Sequence, residues 1–191
     1  MPTLAESSPG AGDRTLLDDA RRGNLRALRW LYEQHAPAVS RFLRGLLRDQ
    51  AAASDALQET FARAFRRLDT VTDSDRLLSW LLGIARFVAH EHYRSGKRTG
   101  EPTDMGSVEL RHDLNPEVAL LGKESARRVE RAMAEMGEGR REALLLRIDQ
   151  GLAYQEIAEV LGWSLSKAKV EVHRAREILR AVLASDEEEH R

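Results

Sequence analysis

The sequence predicts an all-α protein built from two small helical domains joined by a flexible linker. Three observations carry that expectation. Apolar residues recur at steps of three and four, while no segment of four or more residues shows the β-branched alternation of a strand. Hydrophobic residues make up 42% of the 191 residues but aromatics only 5%, which suits thin aliphatic helical cores rather than one large one. Between Ser95 and Asn115 the chain gathers Gly96, Gly100, Pro102 and Gly106 with acids and few apolar residues, a composition that neither fixes a helix nor feeds a core.

Gly, Pro, Asp and Asn punctuate the helices in order. The expected elements are Thr15–Arg22, Leu25–Gln34, Ala36–Arg48, Ala52–Leu68 and Asp75–Ser95, followed after the linker by Pro116–Met136, Arg140–Gln150, Tyr154–Leu161 and Leu165–Ala184. Asn115-Pro116 supplies an N-cap and a first-turn proline, and so marks the start of the second domain. The resulting division is a flexible N-terminus 1–12, a first domain 13–97, an acidic flexible linker 98–115, a second domain 116–184 and a frayed acidic tail 185–191.

The fourth of these helices, Ala52–Leu68, carries Leu57, Phe61, Ala64, Phe65 and Leu68 on one stripe. Asp55, Gln58, Glu59 and Arg66 lie away from it, a polar face that reads equally as a protein-docking surface or as a plain solvated side. In the fifth, Asp75–Ser95, Arg86, His90 and Arg94 recur at steps of four and form one cationic strip, suited to tracking a single nucleic-acid strand. Phe87 reads equally as a stacking surface beside that strip or as a core residue. Trp80, set among Leu77, Leu78, Leu81 and Ile84, reads as core. Arg76 to Gly100 holds Arg76, Arg86, Arg94, Lys97 and Arg98 against a single acid, Glu91, so the net charge of -1 for the whole chain conceals local basic surface.

The most informative run is Gly151 to Arg176. Tyr154, Ile157, Ala158 and Leu161 are spaced for a helix, Gly162 permits the positive φ of a tight turn, and Ser164 caps the helix that follows. There Ala168, Val172, Ala175 and Leu179 form the inward stripe, leaving Ser166, Lys167, Lys169, Val170, Glu171 and Arg174 to face outward. A short glycine turn with small Ala158 and Ala168 at the crossing favours a helix-turn-helix lying in a major groove over an ordinary helical hairpin. Glu171 has two readings: its carboxylate accepts from a cytosine amino group, or it pairs with Lys167 one turn away and takes no part at the DNA.

Several classes are set aside. There is no cysteine, so disulfides, zinc-thiolate sites and thiol catalysis are out. No stretch approaches the roughly 18 uncharged apolar residues of a membrane span, and Met1 to Gly12 lacks a signal-type pattern, so a cytoplasmic protein is expected. His90-Glu91-His92 points its two imidazoles in different directions, so no metal site is expected. Ser79, Ser95 and the histidines show no nucleophile-and-base spacing, and no glycine loop cradles phosphate, so neither catalysis nor a cofactor is expected.

The segments Asp55-Ala56-Leu57-Gln58-Glu59-Thr60-Phe61, Ser79 to Arg86 and His92-Tyr93-Arg94 resemble region 2 of sigma factors of the sigma-70 family. Tyr154 to Arg176, ending in His173-Arg174-Ala175-Arg176, is similar to region 4, and the extracytoplasmic-function (ECF, group IV) branch resembles it best. That resemblance implies a transcription initiation factor, with core RNA polymerase (its beta and beta-prime subunits) and promoter DNA as partners, and it allows an anti-sigma protein as a further one. It implies polymerase contact through Asp55, Gln58, Glu59 and Arg66, and minus-10 contact through Arg86, Phe87, His90, Arg94 and the loop Asp69–Ser74. Minus-35 contact would fall to Ser166, Lys167, Lys169, Val170, Glu171 and Arg174. Phe87 stands where the family often has Asn, and Lys167 and Glu171 stand where it often has Thr and Arg, so base preference is expected to differ. The competing reading is a stand-alone helix-turn-helix regulator that binds duplex DNA without polymerase; a third is a protein that mimics such a factor and blocks polymerase.

Overall fold

The computed structural model describes residues 11–47, 49–71, 73–99 and 116–189. Every element among them is helical, and the chain divides into two compact units, 1–103 and 104–191. Of the expected flexible N-terminus 1–12 and linker 98–115, residues 1–10 and 100–115 lie outside the described residues, as do the last two residues of the tail, while 11–12 and 98–99 are helical.

The first unit contains α1 (Ala11–Arg21), α2 (Leu25–Leu47), α3 (Gln50–Phe65) and α4 (Leu77–Thr99), with two single 3-10 turns, Leu68–Thr70 and Ser74–Arg76, between α3 and α4. Helices α2, α3 and α4 pack on one another, and α1 packs on α2 and on both 3-10 turns. Its core is Leu31, Val39, Phe42 and Leu43 of α2, Ala56, Phe61 and Ala64 of α3, and Leu81, Leu82, Ala85 and Val88 of α4. Phe61 is the aromatic centre: Tyr32 meets it edge-on at 4.7 Å between centroids, and Phe65 lies 5.8 Å away.

Two boundaries differ from the sequence expectation for identifiable reasons. The two helices expected on either side of His35 are one helix, α2, with Pro37 inside it. An interior proline costs about 3 kcal/mol because a donor is lost and the ring crowds the preceding turn. Pro37 is exposed, however, while Ala27, Leu31, Ala36, Val39, Phe42, Leu43 and Leu46 form one buried stripe through it, and a break would take half of that stripe out of register. Helix α3 starts earlier than expected because Asp49 caps it, accepting from the Ala51 N–H at 2.9 Å and the Ala52 N–H at 3.4 Å. Downstream, α4 continues through Gly96 to Thr99, and α8 (Leu165–Glu189) runs through most of the segment expected to fray. Ala184 and three consecutive glutamates are good helix formers, enough to prolong an existing helix despite acids at its negative end.

The second unit contains α5 (Pro116–Glu135), α6 (Glu138–Ile148), α7 (Tyr154–Leu161) and α8. Helix α8 is its organiser, packing on α5, α6 and α7. Met136, Leu144 and Ala175 form one cluster, extended by Met133, Ile178 and Leu179. Leu146, Ile157, Ala158, Ala168 and Val172 add aliphatic packing, and Glu142 of α6 is also fully buried.

Candidate nucleic-acid interface

The turn between α7 and α8 follows from local chemistry. Gly162 adopts φ 65° and ψ 36°, a left-handed conformation that costs a glycine little. It ends α7 in a Schellman arrangement: the Trp163 N–H donates to the Ala158 carbonyl at 2.8 Å and the Gly162 N–H to that of Glu159 at 3.3 Å. Ser164 then opens α8, its Oγ accepting from the Lys167 N–H at 3.2 Å. At the start of α7 the Glu156 carboxylate accepts from the Ala153 N–H at 2.8 Å, and the Arg147 guanidinium lies over the Tyr154 ring at 4.8 Å.

Ala168, Val172 and Ala175 are fully buried, which fixes the rotation of α8. Ser166, Lys167, Lys169, Val170 and Arg174 are consequently exposed around that stripe. Trp163 is clamped in the turn: the Lys167 Nζ lies 4.2 Å from its ring centroid, and the ring passes so close to Gly139 of α6 that a Cβ there would stand 2.7 Å from it.

Glu171 is placed differently from its neighbours. Its side chain is only 16% exposed; one carboxylate oxygen accepts from Arg140 Nε of α6 at 2.7 Å, the other from an Arg174 nitrogen at 3.2 Å. The pairing with Lys167 considered from spacing is replaced by a bridge across 31 positions of sequence, since Lys167 bends back over Trp163 instead. The hydrogen bond from Arg140, with the charges of both arginines, holds the Glu171 carboxyl below the ordinary value of 4.5.

A pH dependence follows. A carboxyl whose folded-state value is lowered stabilises the fold above its unfolded value and loses that contribution as pH falls through the lowered one. Glu171→Gln is expected to destabilise the second unit by about 1–2 kcal/mol at pH 7. The deficit should shrink progressively as pH falls below about 4.3, the ordinary glutamate value. Urea unfolding of the full chain and the variant at neutral pH and through that acid range checks this; an equal deficit throughout would mean that the charge contributes nothing.

In the first unit, Asp55, Gln58 and Arg66 are exposed on α3 and Glu59 is partly so. Glu59 accepts from Arg63 Nε at 2.7 Å, and a second Arg63 nitrogen reaches Glu91 of α4 at 2.7 Å. The Arg63 hydrogen bond lowers the Glu59 carboxyl below its ordinary value. The same guanidinium lies 5.9 Å from the centroid of Phe87, whose ring is 55% exposed. Phe87 is therefore not a buried core residue. Arg63 thus connects the polar face of α3 to the aromatic and basic face of α4.

Along α4, Arg94 is exposed, Arg86 and His90 are half-buried, and unbroken helix keeps the three on one side. Trp80 is half-buried, with Leu77 and Leu81 buried beside it in sequence. The approach to α4 is shaped by Asp73, which accepts from the Asp75 N–H at 3.0 Å, and by Arg21 of α1. Arg21 Nε donates to the Leu68 carbonyl at 3.1 Å, a terminal nitrogen donates to the Val71 carbonyl, and the other pairs with Asp18 at 2.6 Å.

Sequence reasoning missed Arg21, Arg63, Arg140 and the Gly139–Trp163 contact. Only Arg63 left a local trace, its spacing of four from Glu59; the others join residues far apart in the chain.

Two family models match this geometry. Residues 31–99 match Sigma-70 region 2 and residues 126–179 match Sigma-70, region 4. The chain is 31% identical over 188 residues to the ECF RNA polymerase sigma factor BldN of Streptomyces coelicolor, covering 95% of this chain and 70% of that protein. It is 32% identical over 168 residues to the ECF RNA polymerase sigma factor SigC of Mycobacterium tuberculosis, covering 88% and 89% of the two. Among solved structures, CnrH in complex with the cytosolic domain of CnrY aligns with a TM-score of 0.67 at 27% identity, over 91% of this chain and 98% of that one. No helix among the described residues is long and apolar enough to cross a membrane.

Proposed function

The chain belongs to the extracytoplasmic-function RNA polymerase sigma factors of the sigma-70 family, and from that premise we propose how its surfaces divide the work of initiation. As a member it binds core RNA polymerase and directs it to promoters. The observation that carries this is the order of the two matches, region 2 then region 4, each falling on its own helical unit.

The assignments are these. Within region 2, proposed to span 13–97, Asp55, Gln58, Glu59 and Arg66 of α3 hold core polymerase, where exposed charge and amide groups suit a charged helical partner. Arg86, Phe87, His90 and Arg94 of α4, with the loop Asp69–Ser74, receive the non-template strand of the minus-10 element. Opening a duplex costs unstacking energy, which a flipped base seated in a pocket and phosphates held by cations offset. Region 4, proposed to span 116–184, places Ser166, Lys167, Lys169, Val170 and Arg174 in the major groove of the minus-35 element, with Glu171 at the same face. Segment 98–115 connects the two.

The finer readings belong to the same proposal: membership of group IV, supported by matches to regions 2 and 4; action in the cytoplasm; no catalysis of its own; and control by an anti-sigma partner. CnrH, solved with a second protein bound, supports the last. Run-off transcription with purified core polymerase and a genomic fragment library tests the central claim. New discrete start sites are expected only when the chain is added. Their absence, together with tight specific duplex binding by the chain alone, would replace it with the stand-alone regulator.

A further inference from the structure

Among the described residues, helix α1 packs chiefly on α2 and on the two 3-10 turns that open and close the loop Asp69–Ser74. Leu68 and Val71 are 2% and 4% exposed and pin the first half of the loop to the core, while Asp69 and Thr70 between them are exposed. The 3-10 turn here lasts only one turn, closed by a long bond of 3.3 Å from the Val71 N–H to the Leu68 carbonyl. Such an ending leaves carbonyl capacity to be met from outside. Arg21 meets it: one guanidinium spans the carbonyls of Leu68 and Val71, and Asp18 holds its remaining nitrogen. The planar fork suits this, because two parallel donors fix a distance as well as a charge.

We propose that Arg21 is a positioning residue for minus-10 capture, setting from α1 the conformation of Leu68–Val71, the first half of the loop that receives the flipped base. The inference rests on the proposed reading of Asp69–Ser74 as that loop. A loop already in its binding conformation avoids the ordering cost that a frayed one incurs when the base arrives. Its donors being engaged with backbone and Asp18, Arg21 itself holds no phosphate in this role. Loss of the fork is therefore felt as poorer base capture without loss of a DNA ion pair.

The test uses full-length chain, wild type and Arg21→Gln, reconstituted with core polymerase. The probe is a single-stranded oligonucleotide bearing the minus-10 non-template sequence mapped by run-off transcription. Arg21→Gln is expected to bind it about tenfold more weakly, with a comparable narrowing of preference among the four bases at the captured position. Affinity for core polymerase and for minus-35 duplex should be unchanged. The slope of log affinity against log salt should also be unchanged, whereas a lost phosphate contact would lower it by about 0.7 for a single strand. Arg21→Lys, able to satisfy one carbonyl, should fall between.

Unchanged oligonucleotide affinity and base preference in Arg21→Gln overturns the inference. So does a reduced salt slope, which would make Arg21 a DNA contact, or an equal loss of core and minus-35 affinity, which would make it a general fold residue. Asp69→Ala with Thr70→Ala separates the two levels. If that pair weakens capture and Arg21→Gln does not, only the role of Arg21 falls. If neither has any effect, the loop is not the capture element and both fall.

Discussion

Lys167→Ala, Lys169→Ala and Arg174→Ala combined should weaken holoenzyme binding to a duplex minus-35 element about a hundredfold at moderate salt. The three side chains are exposed on α8 around the buried stripe of Ala168, Val172 and Ala175, which holds the helix in place. Replacing them leaves the core untouched and substitutes good helix formers on an exposed face. Each cation that grips a phosphate releases condensed counterions, so the slope of log affinity against log salt should become shallower by about 2.7. Two internal contacts are lost as well, Lys167 over Trp163 and Arg174 to Glu171, but Glu171 retains Arg140. Filter binding or fluorescence anisotropy across a salt series reads both quantities. An unaltered slope would mean that these side chains do not face the phosphates.

Gln58→Ala with Glu59→Ala should reduce affinity for core polymerase by a factor on the order of thirty, two polar interface groups each contributing somewhat over 1 kcal/mol. The fold should survive. Gln58 is exposed, and Arg63, once freed from Glu59, still has Glu91 at 2.7 Å. Competition for core polymerase against unlabelled wild type measures the loss, and a melting curve confirms integrity. Wild-type affinity in a folded double variant would remove the α3 face from the polymerase contact. Asp55→Ala with Arg66→Ala, also exposed on α3, then asks whether the contact lies elsewhere on the same helix.

The parts of the fold legible in the sequence were those written in local chemistry. Gly162, Ser164 and the stripe Ala168, Val172, Ala175 specify turn, cap and helix rotation within a dozen residues, and the structure follows them. The α2 break was misjudged because a local rule, proline ends a helix, met a tertiary fact, a buried stripe continuous through Pro37. Charged side chains were legible as exposed or not, but their partners were not. Glu171 takes one partner from its own helix, Arg174 at i+3, but its shorter bond goes to Arg140 on α6, which no local spacing points to. Arg21 could not be linked to carbonyls near residue 70 from any pattern, since backbone acceptors carry no sequence signature.

The close pass of the Trp163 indole over Gly139 makes these two sites a lock and its keyhole. An alanine at position 139 would put its methyl 2.7 Å from the Trp163 ring, so either the ring or the start of α6 must shift to admit it. Position 139 is therefore expected to accept a larger residue most readily where position 163 carries a smaller one.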